Sequence, residues 1–324
     1  MLRTYLTTTL GLRYPILNAP MASQAGGELA RAVTEAGGLG MIGFDYRDPL
    51  PGFEAQVALA RDGDANRRFG IGLTAWALAL RPEIFAAALA ARPLLISISF
   101  GDVAPFARPV RDAGILLAAQ VQDRDGADAA VAAGADIVVA QGTEAGGHTG
   151  EVGTLPLLQV VLERCPVPVV AAGGIASARG LAAVLAAGAQ GAWIGTPFLL
   201  AAEARVPEAA RDRIVAAREN ETVLTSLYDR VQGLPWPARY RGRALRNAFT
   251  NRWDGREDEA AADPDALAAF AAARAEGRYD IAHQYAGQSV GLAAQRTSAG
   301  RIVTSIGDGA ERLLRACAAE VLER

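Results

Sequence analysis

Residues 136–150 read Asp-Ile-Val-Val-Ala-Gln-Gly-Thr-Glu-Ala-Gly-Gly-His-Thr-Gly. The apolar, mostly β-branched run 137–140 is bounded by polar residues, which is typical of a strand buried on both faces. The loop after it is rich in glycine, and residues such as Gly146 and Gly147 let a backbone approach a bound ligand closely. The same loop carries His148, one of only two histidines in the chain. The stretch therefore predicts a central strand that ends at a functional site.

On both sides of this stretch, helical patterns alternate with short apolar strands. Four helical patterns end in Ala-Gly just before a strand, and glycine suits the left-handed position that ends a helix. These glycines are Gly37, Gly114, Gly134 and Gly188. The eight predicted strands lie near 14–21, 39–44, 69–73, 94–99, 115–120, 136–140, 167–171 and 191–195. The pattern predicts an α/β fold, a (β/α)8 TIM barrel with a mainly helical C-terminal cap, and an open doubly wound sheet is the rival.

The alternation stops after Phe198, and the C-terminal third has a different composition. Residues 220–288, here called the cap, are rich in aromatic residues and arginine, and we expect these arginines to face the acidic residues at 254–259. A helix is predicted to open at Asp263-Pro264, and another from Ser298 to Leu322 closes the chain. We therefore assign residues 1–219 and 289–324 to the barrel, and expect the cap to cover the substrate.

One motif in the N-terminal part invites a misleading interpretation. The run Gly38-Leu-Gly-Met-Ile-Gly43 matches the dinucleotide fingerprint G-x-G-x-x-G. That fingerprint must follow a strand and open a helix, so that a pyrophosphate meets the helix N-terminus. Here the run follows a helical pattern and lies within a predicted strand. We interpret it as a coincidence in a chain with 35 glycines.

Composition excludes several classes of protein. The formal charge of −3 and the pI near 5.6 give no reason to expect nucleic acid or a membrane as partner. The sequence shows no signal peptide and no apolar run of the ~18 residues that span a bilayer, so we expect a cytoplasmic protein. All 32 basic residues are arginine, which excludes Schiff-base and P-loop chemistry that needs lysine. Cys165 and Cys317 show no metal spacing, and we expect no metal and two reduced thiols.

Two later strands end in loops suited to phosphate. The first runs into Gly173 and Gly174, and the second into Gly195 and Thr196. In (β/α)8 barrels, the loops after strands 7 and 8 frequently form a phosphate site from backbone N–H groups. Tight turns without a ligand would explain either loop alone but not both together. We therefore predict a phosphorylated cofactor or substrate.

His148 is the best candidate for a general base. It follows a strand at the end where barrel active sites lie, and imidazole titrates near neutral pH. Glu144 is expected to brace the loop through backbone amides. His283 lacks any such context and is expected to be structural.

The motif Gln141-Gly-Thr-Glu-Ala-Gly-Gly-His148-Thr-Gly resembles the nitronate monooxygenase family, formerly called 2-nitropropane dioxygenases. The likeness covers essentially the whole chain. It extends to Asn18-Ala-Pro-Met21, Ser99-Phe-Gly-Asp102, Ala171-Ala-Gly-Gly-Ile175, Gly180, Trp193-Ile-Gly-Thr196 and Ala286-Gly-Gln288.

The resemblance implies an FMN-dependent flavoprotein, an oxidoreductase that converts alkyl nitronates, and nitroalkanes in some cases, with oxygen to carbonyl compounds and nitrite. It implies that His148 removes the proton from the carbon bearing the nitro group, and that the nitronate then gives a single electron to the flavin. The implied flavin contacts are Ala19, Pro20, Met21, Thr74, Gln120 and Gln141, with Gly146 and Gly147 of the motif. The implied phosphate contacts are Gly173, Gly174, Gly195 and Thr196.

The sequence departs from the usual family pattern at Gly72, at Ser177 with Ala178, and at Pro197, which bears on individual flavin contacts. A flavin-dependent enoyl-acyl-carrier-protein reductase that uses NADH is an alternative, because it shares the barrel and the glycine-histidine motif. A barrel that binds a phosphate ligand without redox chemistry is a second alternative. The expected partners are a small nitronate or nitroalkane and oxygen, and a homodimer is left open.

Overall fold

The computed structural model describes residues 1–62 and 68–321. Eight parallel strands form its main sheet, and the prediction of a (β/α)8 barrel with a C-terminal cap is confirmed. The barrel strands are β1 (Ile16–Asn18), β2 (Gly40–Gly43), β3 (Phe69–Thr74), β4 (Leu95–Ser99), β5 (Leu116–Val121), β6 (Ile137–Gln141), β8 (Val169–Ala172) and β9 (Ala192–Ile194). A second sheet is antiparallel and consists of β7 (Gly147–Thr149), β10 (Thr222–Thr225) and β11 (Arg241–Leu245).

The helices that surround the barrel and build the cap follow in chain order. They are α1 (Tyr5–Thr8), α2 (Gly27–Glu35), α3 (Leu50–Arg61), α4 (Ala75–Leu78), α5 (Pro82–Ala91), α6 (Ala104–Asp112), α7 (Arg124–Ala133), α8 (Thr154–Leu162), α9 (Ala178–Ala186), α10 (Glu208–Ala216), α11 (Leu227–Gln232), α12 (Ala248–Trp253), α13 (Glu257–Ala262), α14 (Pro264–Glu276) and α15 (Ala299–Val321). Two 3₁₀ helices cover Thr196–Leu200 and Gln288–Leu292.

The helix ends follow the local chemistry that the sequence predicts. The four glycines at predicted helix-to-strand junctions all adopt positive φ, between 70° and 109°. Asp263 caps α14 by accepting hydrogen bonds from the N–H groups of Asp265 and Ala266, and Ser177 caps α9 by accepting one from Gly180. The closing helix α15 ends its described part at Val321, so the predicted end at Leu322 lies outside the described residues.

The barrel closes between β1 and β2, where a side chain takes part in the strand pairing. Leu17 and Leu39 form a parallel bridge, and the N–H of Leu39 donates to the carbonyl of Ile16 at 2.9 Å. Beyond this point the buried amide of Asn18 continues the pairing. Its Oδ1 accepts from the N–H of Met41, and its Nδ2 donates to the carbonyl of the same residue, both at 2.8 Å. At this point the Asn18 side chain thus takes the place of direct backbone pairing between β1 and β2, because it satisfies both the N–H and the carbonyl of Met41.

The fingerprint-like glycines are explained by packing. Gly40 and Gly43 lie in β2, which follows α2, so the run opens no helix. A Cβ at Gly40 would lie 1.7 Å from the carbonyl oxygen of Ala30 in α2, and one at Gly43 would lie 2.4 Å from Pro20. Only glycine allows the helix and the loop after β1 to approach this strand so closely.

The apolar core has three parts that fix where the site lies. One fills the barrel interior and includes Leu6 of α1, which seals the N-terminal end of the barrel together with Leu12. A larger one lies between the strands and the outer helices. The third belongs to the cap, where Tyr228, Phe249 and Phe270 pack together. The cap thus has a core of its own above the carboxyl ends of the barrel strands.

The prediction that the cap arginines face the acidic residues at 254–259 is confirmed only in part. Arg230 lies 3.4 Å from Asp258 in the acidic segment. The two arginines of β11 instead face the barrel, because this strand pairs with β7. Arg241 pairs with Glu151 at 3.1 Å, and the buried Arg243 donates from Nε to the carbonyl of Thr143 at 2.8 Å. Burial lowers the pKa of the Arg243 guanidinium.

Candidate active site

A cavity of about 550 Å³ lies between the carboxyl ends of the barrel strands and the cap. Every residue that the sequence predicts for the cofactor lines it, and so does the predicted base. These residues are Ala19, Pro20, Met21, Thr74, Gln120, Gln141, Gly146, Gly147, His148, Gly173, Gly174, Gly195 and Thr196. The structure therefore brings together in one place residues that lie at or after the ends of six barrel strands.

The glycine-rich loop is shaped by a close crossing of backbones. A Cβ at Gly146 would lie 2.6 Å from the carbonyl carbon of Ala286, and a Cβ at Gly287 would lie 2.5 Å from the carbonyl oxygen of Glu144. The N–H of Gln288 donates to that same oxygen at 2.9 Å. Glycine is required at both crossing points because any side chain would separate the loop from the last residues of the cap. The crossing fixes the loop that carries His148.

Glu144 braces this loop as predicted. Its carboxylate accepts hydrogen bonds from the N–H of Thr154, at 2.8 Å to Oε2, and from the Thr154 hydroxyl at 2.8 Å. Thr154 is the first residue of α8, so the carboxylate also lies at the positive end of that helix. The loop and the start of α8 are thereby held together.

His148 lies on β7, where it pairs with Gly242 of the cap strand β11. Its ring Nε2 lies 2.9 Å and 3.0 Å from the two carboxylate oxygens of Asp229 in α11. Both side chains are buried, 8% and 6% exposed. The imidazole of His148 is therefore joined to a carboxylate at the boundary between the barrel and the cap.

Aromatic rings enclose the imidazole of His148. The ring of Trp236 stacks on it with centroids 3.4 Å apart and planes 5° apart. Phe100 meets Trp236 edge-on at 5.1 Å and His148 at 6.3 Å, and Tyr285 lies 5.6 Å from the histidine. Such a lining excludes water around the base and strengthens electrostatic interactions inside the cavity.

Two glutamines at the strand ends have different partners. Gln141 accepts a hydrogen bond at Oε1 from Gln122 and donates from Nε2 to the carbonyl of His148, at 2.9 Å and 3.1 Å. Its amide therefore supports the backbone of the base. The Nε2 of Gln120 is buried at the cavity wall and has no hydrogen-bond partner within residues 1–62 and 68–321. A buried donor without a partner is costly, so this amide is suited to a ligand acceptor.

His283 lines the same cavity, which its sequence context does not predict. Its ring packs between Tyr285 and Tyr228, with centroids 4.8 Å and 5.1 Å away. Burial, followed by the nearby Arg274 and Arg47, lowers the pKa of His283 to about 3, so the ring is neutral. Burial also raises the pKa of the Tyr285 phenol well above its usual value.

Sequence reasoning missed the cap side of the site. Asp229, Trp236 and Tyr285 contact His148 from positions far along the chain, and Asp229 is 81 residues away. Asp229 stands in a Leu-Tyr-Asp-Arg run with no motif around it. The aromatic content of the cap was the available signal for Trp236, but it did not indicate a partner for the base.

Comparison with known proteins assigns the family. The family model described as nitronate monooxygenase matches residues 83–309. A nitronate monooxygenase of Paraburkholderia phytofirmans is 30% identical, and the match covers 89% of this chain and 90% of that protein. This chain belongs to the nitronate monooxygenase family. The resemblance inferred from the sequence motifs is thereby confirmed.

Solved structures place this nitronate monooxygenase family member among related barrels. FabK from Thermotoga maritima has a TM-score of 0.85 and 28% identity, and the match covers 99% of this chain and 100% of that one. A nitroalkane oxidase from Streptomyces ansochromogenes has a TM-score of 0.79 and 30% identity, with 94% and 98% covered. Membership makes the chain an oxidoreductase of a flavin-dependent family. No helix in the described part of the chain is long and apolar enough to cross a bilayer.

Proposed function

We propose that this protein is an FMN-dependent nitronate monooxygenase. In the proposed reaction, alkyl nitronates are oxidised by oxygen to carbonyl compounds and nitrite, through a single-electron step. Nitroalkanes enter the same reaction after His148 removes a proton. The observation that carries the proposal is the place of His148, whose ring lines the cavity next to the glycine loops at the strand ends and is joined to a carboxylate.

The residues around the cavity fit a flavin mononucleotide. The unpartnered Nε2 of Gln120 offers a hydrogen bond to a polar ring edge. Gly173 and Gly174 have φ of 99° and 69°, so two successive glycines turn in the left-handed region at a strand end. Successive N–H groups in such turns make an anion-binding concavity, which suits the phosphate. The cavity volume of about 550 Å³ is within the range of small-molecule and cofactor sites.

We assign the flavin to the barrel, residues 1–219 and 289–324, and the cover over the substrate to the cap, residues 220–288. The ring would be held by Ala19, Pro20, Met21, Thr74, Gln120 and Gln141, with Gly146 and Gly147 beside it. The phosphate would be held by Gly173, Gly174, Gly195 and Thr196. When bound, FMN supplies the electron acceptor that amino-acid side chains lack.

The protein's own residues supply binding, proton removal and exclusion of water. His148 takes the proton from the carbon that bears the nitro group, and imidazole is a side chain that commonly serves as a general base. The ring of Trp236 stacks on His148 and holds the plane of the imidazole. The aromatic lining leaves room for a small apolar substituent and keeps bulk water away from the base.

Substitution His148→Ala tests the proposal with two substrates. Loss of a general base should lower kcat/KM for a neutral nitroalkane by roughly 10²- to 10⁴-fold. Turnover of the matching preformed nitronate should persist, because its proton is already gone. The nitronate therefore serves as the control in the same variant. Normal turnover of the nitroalkane by His148→Ala would contradict the assignment of the base.

An enoyl-acyl-carrier-protein reductase that uses NADH is the second candidate. Arg47 and Arg274 line the cavity, and both donate to Oε1 of Gln232, at 3.2 Å and 2.8 Å. Guanidinium groups bind phosphate well, so these two residues favour a phosphate-bearing dinucleotide. Asp45 already pairs with Arg47 at 2.6 Å, which weakens that argument. The two candidates differ in which molecule reduces the flavin.

A further inference from the structure

The carboxylate of Asp229 has a single side-chain partner among the described residues, and that partner is His148. Both carboxylate oxygens lie within 3.0 Å of Nε2, and both side chains are buried. Burial of a carboxylate is costly unless a donor satisfies it. The contact joins α11 in the cap to β7 in the loop after the barrel strand β6. The pair is therefore part of how the cap meets the base.

The chemistry of the two groups fixes where the hydrogen lies. An ionised carboxylate only accepts hydrogen bonds, so Nε2 must carry the hydrogen that joins them. A neutral imidazole with hydrogen on Nε2 has a free lone pair on Nδ1. Nδ1 of His148 makes no hydrogen bond within the described part of the chain.

We propose that Asp229 is a positioning residue that fixes the Nε2–H form of His148, so that Nδ1 is the atom that removes the substrate proton. This inference rests on the proposed function of His148 as a base. The C–H bond of the nitroalkane breaks, its proton forms a bond to Nδ1, its electron pair becomes the C=N π bond of the nitronate, and the N=O π pair moves onto oxygen. The imidazolium that results is stabilised by the Asp229 carboxylate.

The cap holds the same ring in two ways. Asp229 restrains it in its plane through Nε2, and Trp236 covers one face at a centroid distance of 3.4 Å. Both residues belong to the cap, whereas His148 belongs to the barrel loop. The cap must therefore be correctly placed for the ring of His148 to be oriented. The same segment that covers the substrate thus also positions the base.

The first test measures the tautomer directly and does not depend on activity. The chain has only two histidines, so ¹⁵N-histidine labelling gives a spectrum with two imidazoles, and His148→Ala assigns them. We expect His148 in the native enzyme to show a protonated Nε2 and an unprotonated Nδ1 at neutral pH. In Asp229→Ala the acceptor is gone, and we expect the Nδ1–H form to appear. A native His148 with an unprotonated Nε2, or an unchanged tautomer in Asp229→Ala, would overturn the inference.

The second test separates positioning from folding. In Asp229→Asn we expect kcat/KM for a neutral nitroalkane to fall by roughly 10²-fold, with little change for the preformed nitronate. The control is Asp258→Asn, since Asp258 is an exposed cap carboxylate paired with Arg230, and both substrates should react normally. An equal loss for both substrates in Asp229→Asn would show a structural role and overturn the inference.

The two tests also distinguish this inference from the proposed function. If the native enzyme turns over neither nitroalkane nor nitronate, the proposed function fails. The tautomer measurement then still decides whether Asp229 fixes the ring of His148.

Discussion

His148 and His283 line one cavity, but their ring nitrogens have different surroundings. Nε2 of His148 is bound to Asp229, whereas Nδ1 of His283 is buried without a hydrogen-bond partner among the described residues. Arg274 and Arg47 add positive potential near His283 and disfavour its protonated form. One histidine thus has a buried carboxylate as its partner, and the other is kept neutral by burial and nearby arginines.

The state of His283 predicts a pH dependence of stability. Its pKa is about 3 in the folded protein, against about 6.5 in an unfolded chain. The unfolded chain therefore binds one more proton between these values, and stability is lost as pH falls from 6.5 towards 3. Compared with His283→Phe, the native protein should lose up to about 1.4 kcal/mol more unfolding free energy per pH unit in this window. Urea unfolding of both proteins at several pH values measures this dependence. Equal slopes of unfolding free energy against pH in the two proteins would contradict it.

The glycine cradle predicts a cofactor effect at a single residue. In Gly174→Ala, a methyl group is forced to φ of 69°, which costs about 1–2 kcal/mol. Without ligand, the loop of the variant can relax to a less strained backbone. FMN binding would force the substituted residue back to this φ, so the affinity for FMN should fall roughly tenfold. FMN fluorescence during titration of the apoprotein measures this. Gly277→Ala is the control, because its φ is 67° at the end of α14, outside the cavity lining. Equal FMN affinity in both variants would contradict the cradle.

Residues whose partners are near in sequence were the predictable part of the site. Glu144 and Thr154 are ten residues apart, and the role of Glu144 in bracing the loop followed from the glycine-rich context. Asp229 reaches His148 only because β11 pairs with β7 and places the cap over the barrel. No local pattern encodes that pairing. The place of His148 at the cavity could be predicted from sequence, but its carboxylate partner could not.

At the scale of elements, the barrel strands follow from periodicity and the cap sheet does not. The predicted strands agree with the observed ones to within a few residues, because each is a buried, mostly apolar run, and four of them follow a helix-ending glycine. By contrast, β7 has three residues and begins in a glycine loop, and β11 carries two arginines. Neither segment has a sequence pattern typical of a strand, and the two pair with each other in the folded protein. Tertiary pairing decides their structure.

The contact that the Asn18 side chain makes between β1 and β2 predicts an effect on stability. Asn18→Ala leaves the N–H and the carbonyl of Met41 without the amide that satisfies both, in a fully buried position. Buried backbone groups without partners cost about 1–3 kcal/mol, so the unfolding free energy should fall by that amount. Gln159→Ala is the control, because the exposed Gln159 makes one hydrogen bond within α8. Chemical denaturation measures the unfolding free energy of both variants. A loss in Asn18→Ala as small as the loss in Gln159→Ala would contradict this role.

At the scale of the whole molecule, the barrel and the cap each supply half of the site. The barrel provides the glycine loops and His148, and the cap provides Asp229 and the stacked Trp236. Each half packs around an apolar core, and they meet at the β7–β11 pairing.

The most direct test is the visible absorbance of FMN-loaded protein under anaerobic conditions. One sample receives a small alkyl nitronate and the other receives NADH. From the proposed function we expect that the nitronate bleaches the flavin absorbance and that NADH does not. Bleaching by NADH alone would contradict it and favour the enoyl reductase.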